Sequence, residues 1–146
     1  MPATVKSIRQ RVETAIDAVP GFSIAKHPHS VFGRDPSAVL HRRFAVGVPT
    51  TTAAEARQRI RNGATVHTRV AVTYTIRVRP KDQVASYDEA LDNEAEIIKA
   101  VMAENPTLWA GISIGFVGVT MREIDPAGEW LIGELEFSAL HVLALE

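Results

Sequence analysis

The sequence predicts a single α+β domain, residues 1–146, with a mostly antiparallel four-stranded sheet, two main helices packed on one face and a long β-hairpin arm. Three observations lead there. Apolar residues recur at helical spacing near the start and again from Val84 to Met102. The run Thr65 to Arg79 alternates apolar and polar residues with a period of two. Two further β-rich segments close the chain around a Pro- and Gly-containing turn, which favours an antiparallel sheet with helices on one side.

The first helix follows from Val5, Ile8, Val12, Ala15, Ile16 and Val19, with Lys6, Arg9, Arg11 and Glu13 turned outward, and Pro20-Gly21 ends it. Residues 22–36 are punctuated by Pro28, Gly33 and Pro36 and read as loop with one short strand. Between Ala38 and Val48, Leu40, Phe44, Val46 and Val48 share one parity, as a half-buried strand requires. Thr50 to Gly63 reads as a polar loop, in which Thr52 and Glu55 have capping-box spacing for a short helix and Asn62-Gly63 is a turn dipeptide.

In the long strand, Val66, Val70, Val72, Tyr74, Ile76 and Val78 form one face, and His67, Arg69, Thr73, Thr75, Arg77 and Arg79 the other. Fifteen residues at about 3.3 Å each extend roughly 50 Å, more than one small core uses, so part of this strand is expected to overhang. Pro80 ends it. A second helix follows, with Val84, Tyr87, Leu91, Ala95, Ile98, Val101 and Met102 as its apolar stripe and an end near Asn105-Pro106. Ile112 to Glu123 and Glu129 to Leu145 are the closing strands, joined by a type I turn at Asp125-Pro126-Ala127-Gly128.

Composition narrows the function. Hydrophobic residues are 46% and charged residues 23%, a globular balance that excludes a disordered chain. With 16 basic and 17 acidic residues the net charge is −1, so no global field draws the protein to nucleic acid or anionic lipid. The absence of cysteine excludes thiolate chemistry and Cys-ligated zinc and fits a reducing compartment. No apolar run approaches the roughly 20 residues of a membrane span, and no signal-peptide core is evident, so assembly in the cytoplasm is expected.

Several motifs invite chemistry. Gly111-Ile112-Ser113-Ile114-Gly115 matches a nucleophile elbow, with Asp125 and His141 following in triad order. An elbow needs a strand before the serine and a helix after it, and here the order is reversed, so Ser113 reads as an ordinary strand residue. His27-Pro28-His29 offers two imidazoles, but neither Asp35 nor His41 stands where a third metal ligand is expected. Asp88, Glu89, Asp92, Glu94 and Glu96 read as a solvated, dipole-compatible helix face. No phosphate-binding glycine loop is present, and no cofactor is expected.

The arginines Arg42, Arg43, Arg57, Arg59, Arg61, Arg69, Arg77 and Arg79 gather on the first two long strands and the loop between them. Such a set suits phosphate backbones, acidic patches on a protein neighbour or plain solvation. Arg57, Arg59, Arg61, Arg69, Arg77 and Arg79 are the candidate partner-binding residues.

From Asp88 onward one further pattern emerges. A helix with Asp92, Ile97, Ile98 and Val101 leads to Asn105-Pro106-Thr107-Leu108, a strand from Ile112 and the run Arg122-Glu123-Ile124-Asp125-Pro126-Ala127-Gly128-Glu129-Trp130. A closing strand through Leu135, Phe137 and Val142 completes it. In this order of features the chain resembles the bacteriophage tail terminators of the lambda minor tail protein U-like family. The Thr50 to Gly63 loop departs from that family by its length and its arginines.

The resemblance implies a structural virion protein without catalytic residues: a homohexameric ring that caps the tail tube, stops its polymerisation and offers a face for head attachment. Its implied partners are the tail tube protein and a head-tail connector or neck protein, with DNA passing through the ring and no membrane or small-molecule substrate. Assembly in the host cytoplasm would place it in the virion tail-neck region. Other neck or tail-completion proteins, a Ser113-based hydrolase and a nucleic-acid-binding module are the rival readings.

Overall fold

The computed structural model describes residues 4–24, 41–53, 63–103, 105, 108–124 and 128–144. Within them the order is α1 (Val5–Asp17), β1 (Ser23–Ile24), β2 (Arg43–Ala53), β3 (Gly63–Arg77), α2 (Gln83–Met102), β4 (Ser113–Ile124) and β5 (Trp130–Ala144). The strands form one sheet in the order β1-β2-β3-β5-β4. The four long strands are antiparallel to their neighbours, and the two-residue β1 adds a parallel pair, Ser23 with Arg43 and Ile24 with Phe44. The expected α+β architecture is therefore present.

Thr4 caps α1 by accepting the Ser7 backbone N–H at 3.0 Å, and Ile8, Val12, Ala15 and Ile16 form its buried stripe. The chain then turns through Gly21 at φ +89°. A Cβ there would lie 2.6 Å from the Arg42 guanidinium, so glycine serves both the backbone angle and the close approach. Arg42 itself sits at φ 56°, in the left-handed region, and β2 begins only after it. Of the strand expected over Ala38–Val48, residues 38–40 lie outside the described residues.

Strand β2 also runs on through Ala53, where a loop is expected from Thr50. A register shift between Gly47 and Thr50, at Pro49, lets the ladder resume with Thr50 opposite Arg69. The short helix expected from Thr52 and Glu55 falls partly outside the described residues; Thr52 is strand.

Strand β3 pairs with β5 along all 15 of its residues, from Gly63 opposite Ala144 to Arg77 opposite Trp130. The tip of the expected arm, residues 54–62, lies outside the described residues. Pairing on both sides places Val70, Val72, Tyr74 and Ile76 on the face that meets the helices, together with Phe44, Val46, Leu131, Leu135 and Phe137. Each of these side chains contributes roughly 1.5–3 kcal/mol on burial. Helix α1 packs over β2, and α2 over β3, β4 and β5.

The opposite sheet face is less polar in practice than its sequence. Thr73, Thr75, Ala45 and Ile132 are buried there, and the Trp130 ring lies under the Arg77 guanidinium at 5.6 Å.

Candidate functional site

Helix α2 does not bury the stripe its apolar residues mark out. Val84, Tyr87 and Met102 are 74%, 40% and 41% exposed, whereas Ser86, Ala90, Asn93, Glu94, Ile97 and Val101 are buried. The buried face includes three polar residues because each meets a partner: Ser86 Oγ accepts the Arg79 backbone N–H at 2.9 Å. Asn93 Oδ1 accepts from Arg42 Nη2 at 3.0 Å, and Glu94 sits in a clamp reaching up from the sheet.

That clamp follows from strand register. Phe44, Tyr74, Gly133 and Arg122 stand side by side across β2, β3, β5 and β4, all facing the helices. Gly133 leaves room for the Tyr74 ring to lean over β5. The Tyr74 hydroxyl then donates to Glu94 Oε1 at 2.8 Å, while Arg122 Nε reaches Oε1 at 2.8 Å and Oε2 at 2.9 Å from the other side. The carboxylate is 4% exposed and the arginine side chain 38%.

Burial, first, and then the hydrogen bond to Glu94 hold the Tyr74 phenol far above its ordinary range, so it stays neutral. The hydrogen bond to Glu94 likewise raises Arg122. A neutral phenol and a fully engaged carboxylate leave no free base, so the arrangement fastens α2 to the edge of the sheet. The expectation that Glu94 belongs to a solvated acidic face is corrected: with two partners aimed at it, the charge is buried and satisfied. The signal was Gly133 inside an otherwise bulky strand, a mark of close approach by a neighbour.

Among the described residues, the candidate arginines Arg69, Arg77 and Arg79 each stand against a different neighbour. Arg69 is paired with Glu136, Arg77 covers Trp130, and Arg79 Nη2 lies 3.5 Å from Glu89. Arg69 and Arg77 are eight residues apart on β3, roughly 26 Å. Arg57, Arg59 and Arg61 lie outside the described residues.

The register does not assemble the serine constellation. Ser113 stands opposite Leu140, so it shares a face with Leu140 and lies on the other side of the sheet from His141. His141 Nε2 is 2.7 Å from the Thr68 hydroxyl, and Asp125 lies outside the described residues. His27, His29 and Asp35 lie outside them too, while His41 Nδ1 accepts the Arg77 backbone N–H at 3.0 Å. Among the described residues no group of three possible metal ligands occurs.

The remaining feature is the outer side of β4. This 12-residue strand ends the sheet and carries Phe116, Val117 and Ile124 at 40%, 57% and 45% exposure. No family model matches the chain, and no curated protein is significantly similar to it.

Proposed function

We propose that this protein is a tail terminator of a long-tailed phage or a phage-derived particle, acting as a ring that caps the tail tube and offers a face to the head. The order of features from Asp88 to Val142 suggests the family. One observation supports an assembly role most strongly: β4 leaves a long sheet edge open among the described residues, with exposed apolar side chains along it. An edge of this kind is a liability in a lone molecule and an asset in a closed ring.

Arg69 and Arg79 each stand beside a carboxylate, Glu136 and Glu89, so the nucleic-acid reading rests on Arg57, Arg59 and Arg61. Loss of the protein from its particle tests the proposal. Overlong tubes without heads are expected, along with ring-shaped particles of the purified protein in negative stain. Tubes of normal length beside heads that leak DNA would instead identify a head-side connector.

A further inference from the structure

We propose that copies of this chain join head to tail, the Tyr87 and Arg122 corner of one copy seating in the groove between the helix ends of the next. It rests on the assembly reading only in taking the occupant to be a second copy.

The projecting corner is built where the first half of α2 meets β4. Tyr87 is 40% exposed on α2, the helix whose Glu94 meets Arg122 on β4. Val84, one turn earlier and 74% exposed, widens the apolar surface. Arg122 is unusual for an edge arginine in being fixed. Its Nε is held by buried Glu94, and its two terminal nitrogens have no partner among the described residues. An exposed tyrosine on the same corner as an oriented arginine is the chemistry that dominates protein contacts.

The receiving groove lies where the C-terminal ends of α1 and α2 converge. It has a volume of about 460 Å³, within the range of sites that enclose a side chain or small ligand. Ala15, Ala18, Val19, Ala100 and Leu108 line it, so its walls are small and apolar. Glu96 and Lys99 stand at its rim, without a salt-bridge partner among the described residues. Charge matches in both senses: Glu96 suits Arg122, and Lys99 suits Asp88, the exposed residue after Tyr87.

The two surfaces cannot satisfy each other within one molecule. Tyr87 and Ala100 lie 13 residues apart on the same straight helix, roughly 20 Å, so the groove is open to another copy's corner and not its own. A contact between two different patches is heterologous and propagates around a ring or along a filament.

Mixing two single-surface variants tests this. Tyr87→Ala removes the projection, and Ala18→Trp fills the groove from an exposed position. Each alone is expected to associate roughly thirtyfold more weakly than the unchanged protein, as read by light scattering after size exclusion. An equimolar mixture is expected to give heterodimers and nothing larger, because one good corner and one good groove remain. Glu96→Arg replaces Ala18→Trp if circular dichroism shows that the tryptophan disturbs folding. Unimpaired assembly of either variant alone, a mixture that stays monomeric, or an unchanged protein that is monomeric at every concentration would each overturn the proposal. Variants that lose assembly while the wild-type ring fails to cap tubes would sink the terminator reading and leave this one standing; capping by rings of both variants would do the reverse.

Discussion

The ring of Tyr74 occupies the space in which a side chain at Gly133 would begin. A Cβ built on Gly133 lies 2.3 Å from Tyr74 Cζ and 2.4 Å from its hydroxyl oxygen. Gly133→Ala therefore forces the ring away from Glu94, and a loss of about 1–3 kcal/mol is expected, the range for overpacking a tight site. Urea denaturation measures it. A change under about 0.5 kcal/mol, the scatter of neutral surface substitutions, would mean that the ring has room to move.

Glu94 links the central strand β3 to the edge strand β4. Tyr74→Phe removes one donor and is expected to cost about 1 kcal/mol. Glu94→Ala strands both donors and is expected to cost about 2–4 kcal/mol, held down because Arg122 is partly solvated. In a double-mutant cycle the pair should show a coupling above about 0.5 kcal/mol. Additive losses would show that the hydroxyl and carboxylate act independently.

Alkaline stability depends on the same phenol. Its folded pKa is raised above the unfolded value, so the folded state holds the proton more tightly. The contribution is complete below the unfolded pKa of roughly 10 and declines as pH rises beyond it. Denaturation curves from pH 8 to 11 should thus show a downward limb that Tyr74→Phe flattens. An equally steep limb in the variant would assign the loss to other groups.

The two faces of β3, the two helices and the C-terminal hairpin were legible because each is written in local periodicity. The clamp was not, since Glu94 is 20 residues from Tyr74 and 28 from Arg122 and only sheet register aligns them. The same tertiary pairing explains α2, where partners for Asn93 and Glu94 outweigh the burial of Val84 and Tyr87. The surroundings of the arginines were hidden for a related reason. A charge that is free on paper, as at Arg69, is committed once Glu136 arrives on the adjacent strand.

Val117 projects from the middle of the open edge, at a register shift in β4. Val117→Lys should leave monomer stability within about 0.5 kcal/mol, because the side chain is 57% exposed already. A lysine on an edge opposes strand addition, so association should weaken. Sedimentation velocity over a concentration series measures this. Unchanged association would exclude the centre of β4 from the subunit contact.

Ser113 separates an assembly protein from a hydrolase. It is exposed, at the first residue of β4, and faces away from the side that carries His141. The imidazole on its own face, His67, stands beyond Leu140 two strands away, roughly 10 Å off and out of reach of the hydroxyl proton, so an ester or fluorophosphonate probe should label Ser113 no faster than free serine. Ser113→Ala should leave both stability and any residual labelling unchanged. Stoichiometric labelling that vanishes in the variant would restore the hydrolase and require a base on the Leu140 face of the sheet.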